Sequence, residues 1–173
     1  VVGGESNTAS SNNAVVVGGS TNTASGASSF IGCGYSNIAN TSYATIVGGA
    51  SNIASGQYSF VGGGSNNIAS GQYSFVGGGY NNSVSGATYG VISGGTDHYV
   101  GYNYGTVAGG RSHSVNMAYG AIMGGAYGST RSIMGYHVFP ACYAPIITTV
   151  GVSQAALLIL ARQTGDATAT VLC

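Results

Sequence analysis

Residues 49–61 read Gly49-Ala50-Ser51-Asn52-Ile53-Ala54-Ser55-Gly56-Gln57-Tyr58-Ser59-Phe60-Val61, and the next 15 residues, through Val76, nearly repeat them. Asn7, Asn22, Asn37, Asn52, Asn67 and Asn82 stand 15 residues apart. A fixed short period of this kind is the signature of a stacked repeat architecture, in which each unit buries its apolar side on the next. One residue is inserted between Ser85 and Tyr89. The register then resumes, with His98 and His113 in the asparagine column and Gly128 a turn later. The spacing predicts eight full turns and a decaying ninth.

Reading down the columns assigns faces. Val16, Ile31, Ile46, Val61, Val76, Ile92, Val107 and Ile122 form one column, and β-branched aliphatics in every turn mark a buried strand position. Two residues earlier runs a small column: Ala14, Ser29, Ala44, Ser59, Ser74, Gly90, Gly105 and Gly120. Strand side chains alternate between faces, so both columns point inward. A second strand carries Ala9, Ala24, Ala39, Ala54, Ala69, Val84, Val100 and Val115, and the asparagines two residues before it also face inward. Stacked inward amides can donate to one neighbouring turn and accept from the other, which satisfies buried polar groups. His98 and His113 take the place of asparagine in this ladder. Paired glycines (48–49, 63–64, 78–79 and their equivalents) mark a sharp corner, and Ser-Gly pairs the opposite one. The fold class expected is all-β: a parallel β-solenoid over residues 1–135, with 15-residue turns made of two strands and two bends. At the usual inter-strand spacing it forms a rod roughly 35–40 Å long.

Two columns point outward yet carry large side chains. One is Ser28, Tyr43, Tyr58, Tyr73, Tyr89, Tyr104 and Tyr119. The other is Val15, Phe30, Thr45, Phe60, Phe75, Val91, Thr106 and Ala121. A contiguous apolar stripe on an outer surface implies a partner. Tyr43, Tyr58, Phe60, Tyr73, Phe75, Tyr89, Tyr104 and Tyr119 are therefore candidates for a trimer interface or a surface that stacks on sugar rings, since aromatic side chains serve both.

From about Tyr136 the period is lost, and both prolines, Pro140 and Pro145, fall here. The run Ala155 to Ala161 reads as a strand, Thr164-Gly165-Asp166 as a turn and Ala167 to Leu172 as a returning strand. Residues 136–173 are expected to begin a small antiparallel β-module that continues past Cys173. Val1 already lies inside a repeat, so a fragment of a longer chain is expected.

Composition narrows the function. The 173 residues include three Lys or Arg and three Asp or Glu, a charged fraction of 3%, against 32 glycines. With no basic patch, nucleic-acid binding is not expected. No apolar run approaches the roughly 20 residues that span a bilayer, so membrane insertion is not expected. The glycine pairs recur in every turn without a following helix or a lysine, and read as corners rather than phosphate cradles. Asp97-His98 and His113 could form a metal pair, but a histidine in an asparagine column is more simply a substitute hydrogen-bonding group. Within the repeat region a carboxylate pair for glycoside hydrolysis has only Glu5 and Asp97 to draw on, far apart in sequence. We expect no catalytic residues, no metal and no cofactor. Cys33, Cys142 and Cys173 lack zinc spacing and read as buried or incidental thiols.

The phrase Asn-Ile-Ala-Ser-Gly-Gln-Tyr-Ser-Phe-Val-Gly-Gly-Gly resembles the head repeats of trimeric autotransporter adhesins and, equally, the shaft repeats of phage and other viral tail-fibre proteins. The stretch 158–172 is similar to a module at the ends of phage and prophage fibre proteins. This resemblance implies a left-handed β-roll, a homotrimer, neighbouring fibre or virion proteins and attachment to a host surface glycan. It places the chain on the virion surface or, alternatively, outside a bacterial cell. An ice- or glycan-binding solenoid is the competing class; the outward Tyr and Phe columns fit a flat threonine ladder poorly. Binding specificity is expected at the distal end or along the exposed corners where the repeat is interrupted, Ser85–Thr88 and Asp97–Tyr104, with Tyr99, Tyr102 and Tyr104 as sugar-stacking candidates.

Overall fold

The computed structural model describes residues 1–140 and 154–157. The described residues form an all-β parallel solenoid of about nine turns without a helix. Strands of two residues build two sheets. One runs Thr8–Ala9, Thr23–Ala24, Ile38–Ala39, Ile53–Ala54, Ile68–Ala69, Ser83–Val84, Tyr99–Val100 and Ser114–Val115. The other runs Val15–Val16, Phe30–Ile31, Thr45–Ile46, Phe60–Val61, Phe75–Val76, Val91–Ile92, Thr106–Val107 and Ala121–Ile122. Each strand pairs in parallel with its counterpart one turn away, column on column: Ile53 opposite Ile68, Phe60 opposite Phe75. A third ladder of single parallel bridges, Glu5 to Ser20 to Tyr35 and on to Ala126, runs up the corner after the paired glycines.

The interior is the sum of the inward columns. Val16, Ile31, Ile46, Val61, Val76, Ile92, Val107 and Ile122 are fully buried, as are the alanines and valines of the opposite sheet from Ala24 onward. Burying one such aliphatic side chain is worth roughly 1.5–3 kcal/mol, so every added turn brings its own stabilisation. The small column changes together with the column facing it. Turns with Ala24, Ala39, Ala54 or Ala69 carry Ser or Ala in the small column; those with Val84, Val100 and Val115 carry Gly90, Gly105 and Gly120. A Cβ on Gly120 would lie 3.0 Å from Val115 Cγ1, so the larger residue leaves room only for glycine.

Closing a turn in 15 residues requires left-handed backbone. The second corner glycine has positive φ in every turn, for example +80° at Gly64, and a Cβ there would run into the Gly79 carbonyl oxygen. Two further columns adopt the same region without glycine: Ser6, Thr21, Ser36, Ser51, Asn66, Asn81, Asp97 and Ser112, and then Asn13, Ser28 and all six tyrosines from Tyr43 to Tyr119. The inverted peptide turns these N–H groups toward the preceding turn. Ser51 donates to Tyr35 (2.9 Å) and Tyr73 to Gln57 (2.9 Å), whereas strand N–H groups donate to the following turn, as Ile53 does to Asn67 (2.8 Å).

The second sheet does not stop at residue 135. Strand His137–Pro140 pairs in parallel with Ala121–Ile122, and Val138 continues the buried aliphatic column. Strand Gln154–Leu157 then pairs with it antiparallel, His137 opposite Leu157. This antiparallel pair on the edge of the solenoid sheet is not the one expected, which joins 155–161 to 167–172. The turn at 164–166, the strand at 167–172 and residues 158–161 lie outside the described residues.

Candidate functional site

The inner ladder is built from amides that clamp backbone. Asn52 Nδ2 donates to the carbonyls of Gly48 in its own turn (3.1 Å) and Gly64 in the next (3.0 Å). Its Oδ1 accepts the backbone N–H of Asn67 (2.9 Å). The same pattern recurs from Asn7 to Asn82, and Asn22 through Asn82 are fully buried. The expected ladder of inward amides reaching both neighbouring turns is present. Direct amide contacts exist, such as Asn37 Nδ2 to Asn22 Oδ1 (3.1 Å), but each carboxamide chiefly ties the glycine corner of one turn to that of the next.

His98 and His113 reproduce the accepting half of this arrangement. The N–H of His98 donates to Asn82 Oδ1 (3.1 Å), the N–H of His113 to His98 Nδ1 (3.1 Å), and the N–H of Gly128 to His113 Nδ1 (2.9 Å). Nδ1 thus stands where the asparagines place Oδ1. Accepting at Nδ1 puts the proton of the neutral ring on Nε2. Glycine backbone beside the rings, Gly110 at His98 and Gly109 with Gly125 at His113, favours the protonated form and only partly offsets their burial. The rings are stacked, centroids 4.9 Å apart. Burial, with the neighbouring His113 adding to it, pushes the His98 pKa down to about 4, and burial lowers that of His113 as well. The lone pairs through which a metal ion would bind these rings already face backbone N–H groups.

The outer tyrosines form a continuous stack. Tyr43, Tyr58, Tyr73, Tyr89, Tyr104 and Tyr119 follow one another at centroid separations of 4.8–5.3 Å, with ring planes within 13°. They stand not on a strand face, as the alternation of the column suggested, but in the four-residue turn that Ser59 N–H to Gly56 carbonyl (3.1 Å) closes in the turn of Tyr58. Left-handed backbone costs a non-glycine residue roughly 1–2 kcal/mol, and glycine or asparagine is the ordinary choice. Six tyrosines held there suggest selection for the side chain rather than for the turn. Stacking sets what the row can do. Each inner ring has both faces covered by its neighbours, leaving edges and hydroxyls to solvent. A planar ligand has access only to the outer faces of Tyr43 and Tyr119, the latter the most exposed of the six at 54%.

Phe60 and Phe75 are also stacked, centroids 5.2 Å apart, but they lie down on their own sheet. A Cβ on Gly62 would meet Phe60 Cε1 at 3.4 Å, and one on Gly77 would meet Phe75 Cε1 at 3.3 Å. Phe30 covers Gly32 in the same way, and Tyr99 covers Gly101 on the other sheet. Where the aromatic is absent, the position two residues on carries a side chain, as in Val15 with Val17 and Thr45 with Val47. These rings shield glycine backbone within the chain.

No protein-family model matches this chain, and no curated protein does.

The interruptions of the repeat behave differently from expectation. The extra residue of the sixth turn does not bulge outward: Ala87 is fully buried, packed beside the Val84–Gly90 pair, while Ser85 and Gly86 are exposed. Tyr99, Tyr102 and Tyr104 are exposed, but Tyr99 lies over Gly101 on the first sheet and Tyr104 is locked between Tyr89 and Tyr119. Cys33 is exposed at the glycine corner. A feature missed in the sequence is the outward column Thr8, Thr23, Ile38, Ile53, Ile68, Ser83, Tyr99 and Ser114, where Ile38 is 37% exposed. Its 15-residue spacing was the available signal. It gives the first sheet an apolar outer face of its own.

Proposed function

We propose that this chain is a structural and adhesive segment of a surface fibre of the phage or viral tail-fibre kind. Three copies lie side by side, and the rod provides reach for host attachment. The observation that carries this reading is the pair of continuous outer rows, Tyr43 to Tyr119 and Phe60 with Phe75, on a rod with 3% charged residues. An isolated rod with such rows would be prone to stick, because neither charge nor a polar coat opposes association. Lateral association buries edges and hydroxyls as readily as ring faces, so the stacking of the tyrosines does not stand in its way. The turns also supply length economically, since each contacts only its neighbours. The head of a bacterial trimeric adhesin would use the same surfaces.

The sugar-stacking reading is narrower than the sequence suggested. It retains the outer faces of Tyr43 and Tyr119 and the ring of Tyr102, because the inner tyrosines have no free face. The attachment role is tested by removing the fibre, or covering it with antibody, and counting attached particles or cells. Loss of attachment is expected; unchanged attachment would leave a structural role only. Hydrolysis of a host glycan that is abolished by Asp97→Asn would overturn the reading as a non-enzyme.

A further inference from the structure

The inner column changes chemistry once along the rod. Asn7 through Asn82 cannot titrate, and His98 and His113 can. Each imidazole holds its place by accepting a buried backbone N–H at Nδ1. A proton added to Nδ1 converts that acceptor into a donor aimed at another donor. It also places a cation in a site that is 1% exposed, stacked on a second imidazole 4.9 Å away. We infer that His98 and His113 form an acid-sensitive joint in the rod: protonating either ring breaks the ladder and loosens the turns from Gly94 onward, while the asparagine turns before it stay closed.

The surrounding charges do little to prevent this. Among the described residues Asp97 is the one carboxylate beside the pair; it lies on the outside, accepting from Asn81 Nδ2 (2.7 Å), and only partly offsets the burial of His98. Arg111, two residues before His113, lies over the Tyr127 ring and donates to its hydroxyl (2.6 Å), adding positive charge to the same turns. Arg131 is exposed in the turn above. Tyr80, Tyr89, Tyr99, Tyr102, Tyr104 and Tyr119 are the phenols of these turns, all of them exposed. His137, on the edge strand, stands in the outward column beside Ala121. The direction of the effect follows from linkage. An unfolded histidine takes up its proton near pH 6.5, while folded His98 resists until about pH 4 and burial shifts His113 in the same direction. Stability is therefore full above about pH 6.5 and declines as the pH falls toward 4.

Hydrogen-exchange protection of the full chain, corrected for intrinsic rates, tests this at about pH 7 and about pH 4 in the native chain and in His98→Asn/His113→Asn. Asparagine is the residue that the earlier turns use, so the variant keeps the ladder. The expected result is a tenfold or greater loss of protection across residues 94–135 in acid for the native chain, with residues 1–82 unchanged, and no such loss in the variant. Equal behaviour of the two proteins overturns the proposal. Should the variant fail to fold, nitrogen NMR of the native imidazoles decides: titration near pH 6.5 with protection intact overturns it, and resistance to protonation until protection collapses supports it.

Discussion

Gly105 faces Val100 so closely that a Cβ on the glycine would lie 2.7 Å from Val100 Cγ1. The pairing of valine in one column with glycine in the other sets the width of the coil from the sixth turn onward. Gly105→Ala is expected to destabilise the chain by about 1–3 kcal/mol through overpacking. Adding Val100→Ala should recover part of the loss, giving the alanine pairing found at Ala39 and Ala44. Denaturant unfolding of the single and double variants checks this; additive losses would contradict the packing account.

Asn52 serves three backbone groups at once: the carbonyls of Gly48 and Gly64 and the N–H of Asn67. Asn52→Leu removes this partner from the Gly48 carbonyl and the Asn67 N–H, while the Gly64 carbonyl still accepts from the Ala50 N–H (2.9 Å). A loss of about 3 kcal/mol or more is expected in thermal or denaturant unfolding. His98→Asn, by contrast, should change stability at neutral pH by less than about 1 kcal/mol, because the amide restores the arrangement of the other turns.

The small column separates two kinds of serine. Ser29 Oγ donates to the Gly26 carbonyl (2.7 Å), whereas the buried hydroxyls of Ser59 and Ser74 have no partner. Ser59→Ala or Ser74→Ala should stabilise the chain by about 1 kcal/mol, and Ser29→Ala should destabilise it by a similar amount. Melting temperatures of the three variants check the sign.

The inward columns were legible because the period repeats each position eight times, and a buried column tolerates only a narrow choice of residues. The aliphatic column, the asparagines and the histidine substitutions all follow from that constraint. The partners that close the ladder were not legible. An amide can reach either a neighbouring amide or a backbone, and only the corner geometry decides between them. The tyrosines misled, since an alternating column ending in Tyr58-Ser59-Phe60-Val61 reads as strand throughout, and left-handed tyrosine is a costly exception. The destination of Ala87 was equally hidden: a small neutral residue gives no sign of whether an insertion turns in or out. The coupling of Val84, Val100 and Val115 to Gly90, Gly105 and Gly120 was present in the sequence, but its meaning depended on knowing that these columns touch.

Tyr58→Gly/Tyr73→Gly separates the turn from the row it displays. Glycine relieves the left-handed backbone while removing two rings from the stack, terms of about 1 kcal/mol each that oppose one another. The variant is expected to keep its β-structure and melt within a few degrees of the native chain, but to self-associate at least tenfold more weakly. Circular dichroism and a dilution series measure the two effects separately. Unchanged association would remove the tyrosine row from the interface.

Sedimentation equilibrium of the chain at micromolar concentration tests the self-associating rod most directly. The outer rows and the scarcity of charge lead us to expect a species of three times the 17.0 kDa chain mass. A dimer would revise the stoichiometry and leave the burial of the rows standing. A stable monomer, with Tyr43 to Tyr119 wet and unpartnered in solution, would contradict the account.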